Sequence, residues 1–233
     1  MVLKDMSDQF AAVARSLRSE PNELETLSRA IEVAVEVVPS CDYAGITMVR
    51  DRHRIQTPAA TAAVARRCDQ LQLELDEGPC LDVLRETEAI SCVDLLQEDR
   101  WPTWAPRVAL EVGIRSTLCF RLFTTTQSLG ALNLYARKPA AFDARDYATG
   151  LAFAAHLAVA LSSSRDIEGQ GQAMVNRTTI GQAEGILMER FGLTPEQAFT
   201  FLKRISQDTN TKLADVAIEL VQTRITPGTQ LLL

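Results

Sequence analysis

The sequence predicts an α+β domain, a sheet flanked by helices, followed by a small all-α module of three helices. Three observations predict it. Apolar residues alternate with period two over residues 43–49, 117–125 and 129–137, and a short turn at 125–128 joins the last two runs as an antiparallel hairpin. Segments on both sides of those runs repeat their apolar residues every three or four positions, as helices do. The last quarter, residues 176–224, packs three such helical segments back to back with legible punctuation between them.

From the N-terminus, Met6, Phe10, Val13 and Leu17 make residues 4–18 an amphipathic helix whose narrow stripe suits a helix-to-helix seam, and residues 1–21 are assigned to dimerisation. Asn22, with Glu25 three positions on, opens a second helix with the face Leu24, Leu27, Ile31, Val35 and Val38. Residues 43–49 read as a strand, 51–53 as its turn and 55–57 as a short return strand. Residues 61–75 follow as a helix with Val64, Cys68, Leu71 and Leu75 on one side. After the break at Gly78-Pro79 come a short helix to Glu86, a strand over 90–93 and a helix from Trp101 to about Val112. The helix over 143–164 carries two apolar lines, Tyr147, Leu151, Ala154, Ala158 and Leu161 beside Phe153, Leu157 and Ala160. One line can face the sheet and the other a symmetry mate. Residues 166–173, with Gly169 and Gly171, read as the interdomain linker.

In the terminal module Ile180, Ala183, Leu187 and Phe191 form the first face. Gly192 is placed for the left-handed residue after a helix, and Thr194-Pro195-Glu196-Gln197 supplies N-cap, first-turn proline and capping-box partner. The second face is Ala198, Phe201, Leu202 and Ile205, and the third is Leu213, Val216, Ala217, Leu220 and Val221. Residues 174–226 constitute the module and 227–233 a flexible tail.

Composition bounds the function. A chain of 233 residues with 46% hydrophobic residues suits two domains with real cores. No run approaches the roughly 18 to 20 apolar residues of a membrane span, and the N-terminus lacks a signal peptide, so a cytoplasmic protein with no membrane partner is expected. The five cysteines, Cys41, Cys68, Cys80, Cys92 and Cys119, fit neither a disulfide framework nor zinc ligand spacing and read as small buried hydrophobes. Net charge is -6, yet beyond residue 173 six basic residues (Arg177, Arg190, Lys203, Arg204, Lys212, Arg224) match six acidic ones (Glu184, Glu189, Glu196, Asp208, Asp215, Glu219). A neutral module does not bind nucleic acid indiscriminately; placed contacts remain open to it. There is no Gly-x-Ser-x-Gly elbow, His-Glu-x-x-His pair, P-loop or dinucleotide fingerprint, so neither an enzyme nor a cofactor is expected.

The order of elements over residues 22–165, with Gly130-Ala131-Leu132-Asn133-Leu134-Tyr135 leading to Phe142 and Asp146, resembles a GAF domain. The C-terminal stretch resembles the ANTAR family of transcription antitermination regulators at Ile180, Gln182-Ala183, Gly185-Ile186-Leu187-Met188, Gly192-Leu193, Glu196, Ala198-Phe199, Leu202, Arg204, Leu213 and Val216-Ala217. That resemblance implies a homodimer that holds leader RNA carrying two small hairpins with six-base loops, so that an overlapping terminator cannot form. It places Gln182, Ala183 and Gly185 against bases and Lys203, Arg204 and Lys212 near phosphates. Glu184, Thr200, Ser206 and Thr209-Asn210-Thr211 depart from the family pattern, which accounts for the neutral charge. For a small molecule in the GAF domain the candidate residues are Cys80, Cys92, Trp101 and Cys119; core packing is the competing reading for each. Two other functions stay open: a helical module that binds a protein partner, and a GAF-fold free methionine sulfoxide reductase using Cys80, Cys92 or Cys119.

Overall fold

A computed structural model describes residues 12–50, 54–125 and 127–225, and the chain divides into two compact units at the Arg165–Asp166 junction. The expected positions Met6 and Phe10, the turn at 51–53 and the tail at 227–233 lie outside the described residues. In the first unit helical residues 12–18 (α1) and α2 (Glu23–Val37) precede β1 (Tyr43–Arg50) and β2 (Arg54–Ala60). Then come α3 (Ala63–Leu75), α4 (Pro79–Arg85), β3 (Ala89–Cys92), α5 (Trp104–Arg107), β4 (Ser116–Phe123) and β5 (Ser128–Ala136). These five strands pair antiparallel in the order β2-β1-β5-β4-β3.

The sheet is covered on both faces, which is why its residues are apolar or buried whichever way they point. On one face Ala44, Ile46 and Met48 of β1, Leu118, Phe120 and Leu122 of β4 and Leu132 and Leu134 of β5 pack against α1, α2 and α6 (Ala144–Phe191). Val13 and Leu17 are buried in this core, so the described half of the N-terminal stripe packs within its own domain. Both apolar lines of α6 enter it too: Ala154, Ala158 and Leu161 are as buried as Phe153, Leu157 and Ala160. At these positions neither line is left over for a symmetry mate, whereas Tyr147 and Leu151 of the first line stay partly exposed. At the crossing of β1 and β5 a Cβ on Gly130 would collide with the Thr47 carbonyl, so only glycine permits that approach.

The N-cap of α2 forms as expected: Asn22 Oδ1 accepts from the Glu25 N–H at 2.9 Å, and its Nδ2 donates to Glu25 Oε1 at 2.9 Å. Leu24, however, is exposed, and Ala30, Val33 and Ala34 take the buried side with Leu27 and Ile31. Glu23 accepts from Arg50 at 2.7 Å and from Arg165 at 2.8 Å, fastening α2, β1 and α6 together.

The expected end of α6 near Ser164 is corrected. The helix runs 48 residues to Phe191 and takes the expected linker 166–173 with it. Two glycines cost about 1 kcal/mol each in a helix interior and do not break it, whereas the next proline is Pro195. The second unit continues with α7 (Pro195–Asp208) and α8 (Leu213–Thr223). Gly192 has φ +64, and its N–H closes the end of α6 on Met188 O at 2.9 Å. Thr194 and Gln197 form the reciprocal capping box at 3.3 and 2.9 Å. Thr194→Ala is expected to lower the unit's stability by about 1 kcal/mol, measured by thermal unfolding at 222 nm; no change means that the box contributes nothing.

Candidate nucleic-acid interface and sensor core

The three-helix unit is held by Ala183 and Leu187 from the last turns of α6, Ala198 and Leu202 from α7, and Val216, Ala217 and Leu220 from α8. Ala183 belongs to this core and is fully buried, which corrects its expected contact with RNA: a small residue is needed there because α6 meets its neighbours at that point. Gln182 and Gly185 lie on the exposed side of the same helix. They line a groove of about 530 Å³ together with Ile186, Glu189, Arg190, Val221 and Arg224. A Cβ on Gly185 would meet nothing within 4 Å, so nothing in the unit's own packing requires glycine there. Arg190 Nη1 donates to the Arg224 carbonyl at 2.8 Å, and Arg224, at φ 59, ends α8.

The expected phosphate contacts lie outside that groove. Lys203 and Arg204 are exposed on α7, and Lys212 is exposed at the N-cap of α8. Arg204 approaches Asp208 at 3.7 Å, with both side chains mostly in water. Such a pair leaves the guanidinium available. In the sequence Arg190 and Arg224 stand out only as charges. One sits in the last turn of α6 and the other past the end of α8, and only the folded unit brings these positions to one groove. Phe191 and Phe201, both assigned to buried faces, are 52% and 37% exposed and stand 6.4 Å apart.

In the first unit the sheet face opposite α2 and α6 carries a buried polar network. Asp69 Oδ1 accepts from the Tyr135 hydroxyl at 2.6 Å and from Asn133 Nδ2 at 2.9 Å. Asn133 Nδ2 also donates to Thr47 at 3.1 Å, while its Oδ1 accepts from the Cys119 thiol at 2.8 Å. Gln72 Nε2 donates to Tyr135 at 3.2 Å, and Gln72 Oε1 accepts from the Cys80 N–H at 2.7 Å, which ties the start of α4 to the network. Asp69 Oδ2 has no hydrogen-bond partner at bonding distance and occupies the space where Gly45 lacks a Cβ. Burial pushes the Asp69 carboxyl up to about 7, against the lowering influence of Tyr135, Thr57 and Asn133. The sequence signal for this network is Asp69 and Gln72, three apart on α3, together with Asn133 and Tyr135 on the alternate side of β5.

The four expected ligand residues are all buried and divide into two clusters. Cys80 and Cys119 share one with Val83 and Ala131, and Cys92 and Trp101 share another with Trp104 and Tyr135. Trp101 Nε1 donates to Asp82 at 2.8 Å, and its ring meets Trp104 edge-on at 5.6 Å. Burial raises the Cys92 thiol to about 12 and the Cys119 thiol well above its ordinary value, so both stay protonated near neutral pH. A nucleophilic or redox-reactive cysteine needs the thiolate.

The GAF domain model matches residues 20–162, and the ANTAR domain model matches residues 171–221. No curated protein is similar enough in sequence to be matched. Among solved structures, the GAF domain of a phosphoenolpyruvate-protein phosphotransferase from Coxiella burnetii is 18% identical with a TM-score of 0.58, over 70% of this chain and 96% of that one. A domain of a two-component sensor histidine kinase protein from Sinorhizobium meliloti is 16% identical with a TM-score of 0.53, over 64% and 96%. A free methionine-R-sulfoxide reductase of Staphylococcus aureus is 14% identical with a TM-score of 0.53, over 67% and 94%. At these identities the likeness extends to the fold alone. Among the described residues no helix is long and apolar enough to cross a membrane.

Proposed function

The chain belongs to the GAF domain family and carries an ANTAR domain, and from that premise we propose that it is a signal-responsive antitermination regulator that binds RNA as a homodimer. In this reading the first unit senses a ligand, a redox state or a partner. The second captures paired hairpins with six-base loops in leader transcripts and so blocks a terminator. The observation that carries the RNA assignment is the groove beside Gly185. An open glycine lets a flipped loop base lie against helix backbone, Gln182 offers donors and an acceptor to its edge, and Arg190 and Arg224 supply cations. A few placed contacts suit a unit whose charges balance. The raised thiols favour this regulatory reading over the reductase one.

A gel-shift titration of the full chain with a two-hairpin, six-base-loop RNA tests it, and saturable binding that weakens with salt is the expected result. Lack of saturable binding at low salt overturns the assignment in favour of a protein partner. Gly185→Ala separates stability from recognition: alanine gains about 1 kcal/mol of helix propensity at an open position, so thermal stability rises while RNA affinity falls. Affinity that rises with stability removes Gly185 from the interface. Lys203→Ala with Arg204→Ala is expected to reduce the salt slope of binding; an unchanged slope places both residues outside the contact.

A further inference from the structure

The first unit has a second concavity, away from the buried polar network, between the outer side of α6 and the β3–β4 edge of the sheet. It encloses about 580 Å³, within the usual range of small-molecule sites. Its wall is apolar: Leu151, Ala155 and Val159 stand one turn apart on α6, with Leu151 37% and Val159 57% exposed, and Phe123 faces them. Two charges of opposite sign also line it, Glu88 and Arg121. The Arg121 N–H donates to the Glu88 carbonyl at 2.8 Å, which makes them cross-strand neighbours at the sheet edge. Opposite charges in that relation ordinarily pair. Here no ion pair forms between them among the described residues. The Arg121 guanidinium lies over the Phe123 ring at 4.6 Å, and its Nε is buried without an acceptor. A donor that has lost water and gained no partner is a standing penalty that a bound carboxylate relieves.

We propose that this groove binds a small zwitterion with an apolar side chain, an amino-acid-type ligand whose carboxylate meets Arg121, whose ammonium meets Glu88 and whose side chain lies along α6. A simple fatty acid satisfies Arg121 and sets a second carboxylate beside Glu88; an amine does the reverse. The zwitterion alone uses both charges. Because Leu151, Ala155 and Val159 belong to the helix that continues past Arg165, a ligand seated here bears directly on that helix. The inference rests on the sensor reading of the first unit for its consequence, and its binding step stands apart from RNA recognition.

Isothermal titration of the full chain at pH 7 with L-phenylalanine, 3-phenylpropanoate and 2-phenylethylamine tests it, with L-leucine and L-tryptophan as further probes of side-chain size. The expected result is one amino acid per chain, with both single-charge analogues at least about tenfold weaker, as loss of a charged hydrogen bond implies. Arg121→Ala should remove the advantage over the amine and Glu88→Gln the advantage over the carboxylate, with Arg121→Lys retaining part of the affinity. Equal affinity for all three phenyl probes, indifference to both variants, or no binding of any of the three amino acids at millimolar concentration overturns the proposal. So does sedimentation showing a dimer that Arg121→Ala dissolves and that excludes the amino acids, since a second copy would then fill the groove. None of these outcomes bears on the gel shift, so failure here leaves the RNA reading standing.

Discussion

Denaturant unfolding of the first unit, followed by tryptophan fluorescence, is expected to show stability falling as pH rises from about 4 to about 7, and Asp69→Asn is expected to flatten that fall. Both tryptophans, Trp101 and Trp104, are buried in this unit, so the signal belongs to it alone. The Asp69 carboxyl moves from its ordinary 3.8 up to about 7 because burial disfavours its charge. A folded value above the unfolded one means that the native state holds the proton more tightly. Its contribution is then fully present below pH about 4 and is lost as pH rises through about 7. At about 1.4 kcal/mol per pH unit the loss approaches about 4 kcal/mol. The groups around the carboxyl do not cancel it: Tyr135, Asn133 and Thr57 are neutral donors, burial raises Cys68 and Cys119 so that they stay neutral, and Arg66 is the cation that acts on it. Glu98, held down to about 2 chiefly by Arg100, works in the opposite sense, with stability lost as pH falls from 4.5 towards 2, almost wholly below the window in which Asp69 acts. Asparagine keeps the acceptor for Tyr135 and removes the charge. The variant should match or exceed the parent at pH 8 and lose its advantage at pH 5. Parallel pH profiles for parent and variant would show that Asp69 is not the titrating group.

That network marks the limit of what the sequence makes legible. The helix starts at Asn22 and Thr194 and the stop at Gly192 are read correctly because caps are local: side chain and backbone partner lie three residues apart. The hairpin of β4 and β5 is legible for the same reason, and Leu118, Phe120, Leu122, Leu132 and Leu134 occupy the face that their alternation assigns. Alternation does not say what covers the other face. Alternation puts Asn133 and Tyr135 on the side of β5 opposite Leu132 and Leu134, and only the folded unit shows α3 and the start of α4 bonded over them with Asp69 in the interior. A similar limit governs α6. Its glycines suggest a break, whereas helix propensity penalises them without forbidding them, and the continuous helix prevails. Gln182 and Gly185 reach one groove because they share one exposed side of that helix, while Ala183, one position on, turns into the core. The alternation of exposure along residues 182–187 is a property of where α7 and α8 dock.

Leu202→Ala is the substitution expected to abolish RNA binding without touching an RNA contact. Leu202 is fully buried among Ala183, Leu187, Ala198, Val216, Ala217 and Leu220. Removing it deletes the transfer free energy of its methyl groups and leaves a cavity, together about 2 to 5 kcal/mol. A three-helix unit of this size has little stability to spare, so most of that loss appears as unfolding. Circular dichroism at 222 nm should fall as α7 and α8 melt, while the tryptophan transition of the first unit keeps its midpoint, because Trp101 and Trp104 lie in the other core. RNA binding should fall below detection in the same gel shift in which Gly185→Ala reduces affinity while raising thermal stability. The two variants bracket the assignment: one removes the scaffold and spares the groove's chemistry, the other alters the groove's floor and strengthens the scaffold. If Leu202→Ala melts the unit and RNA still binds within a few fold of the parent, the RNA site lies elsewhere in the chain.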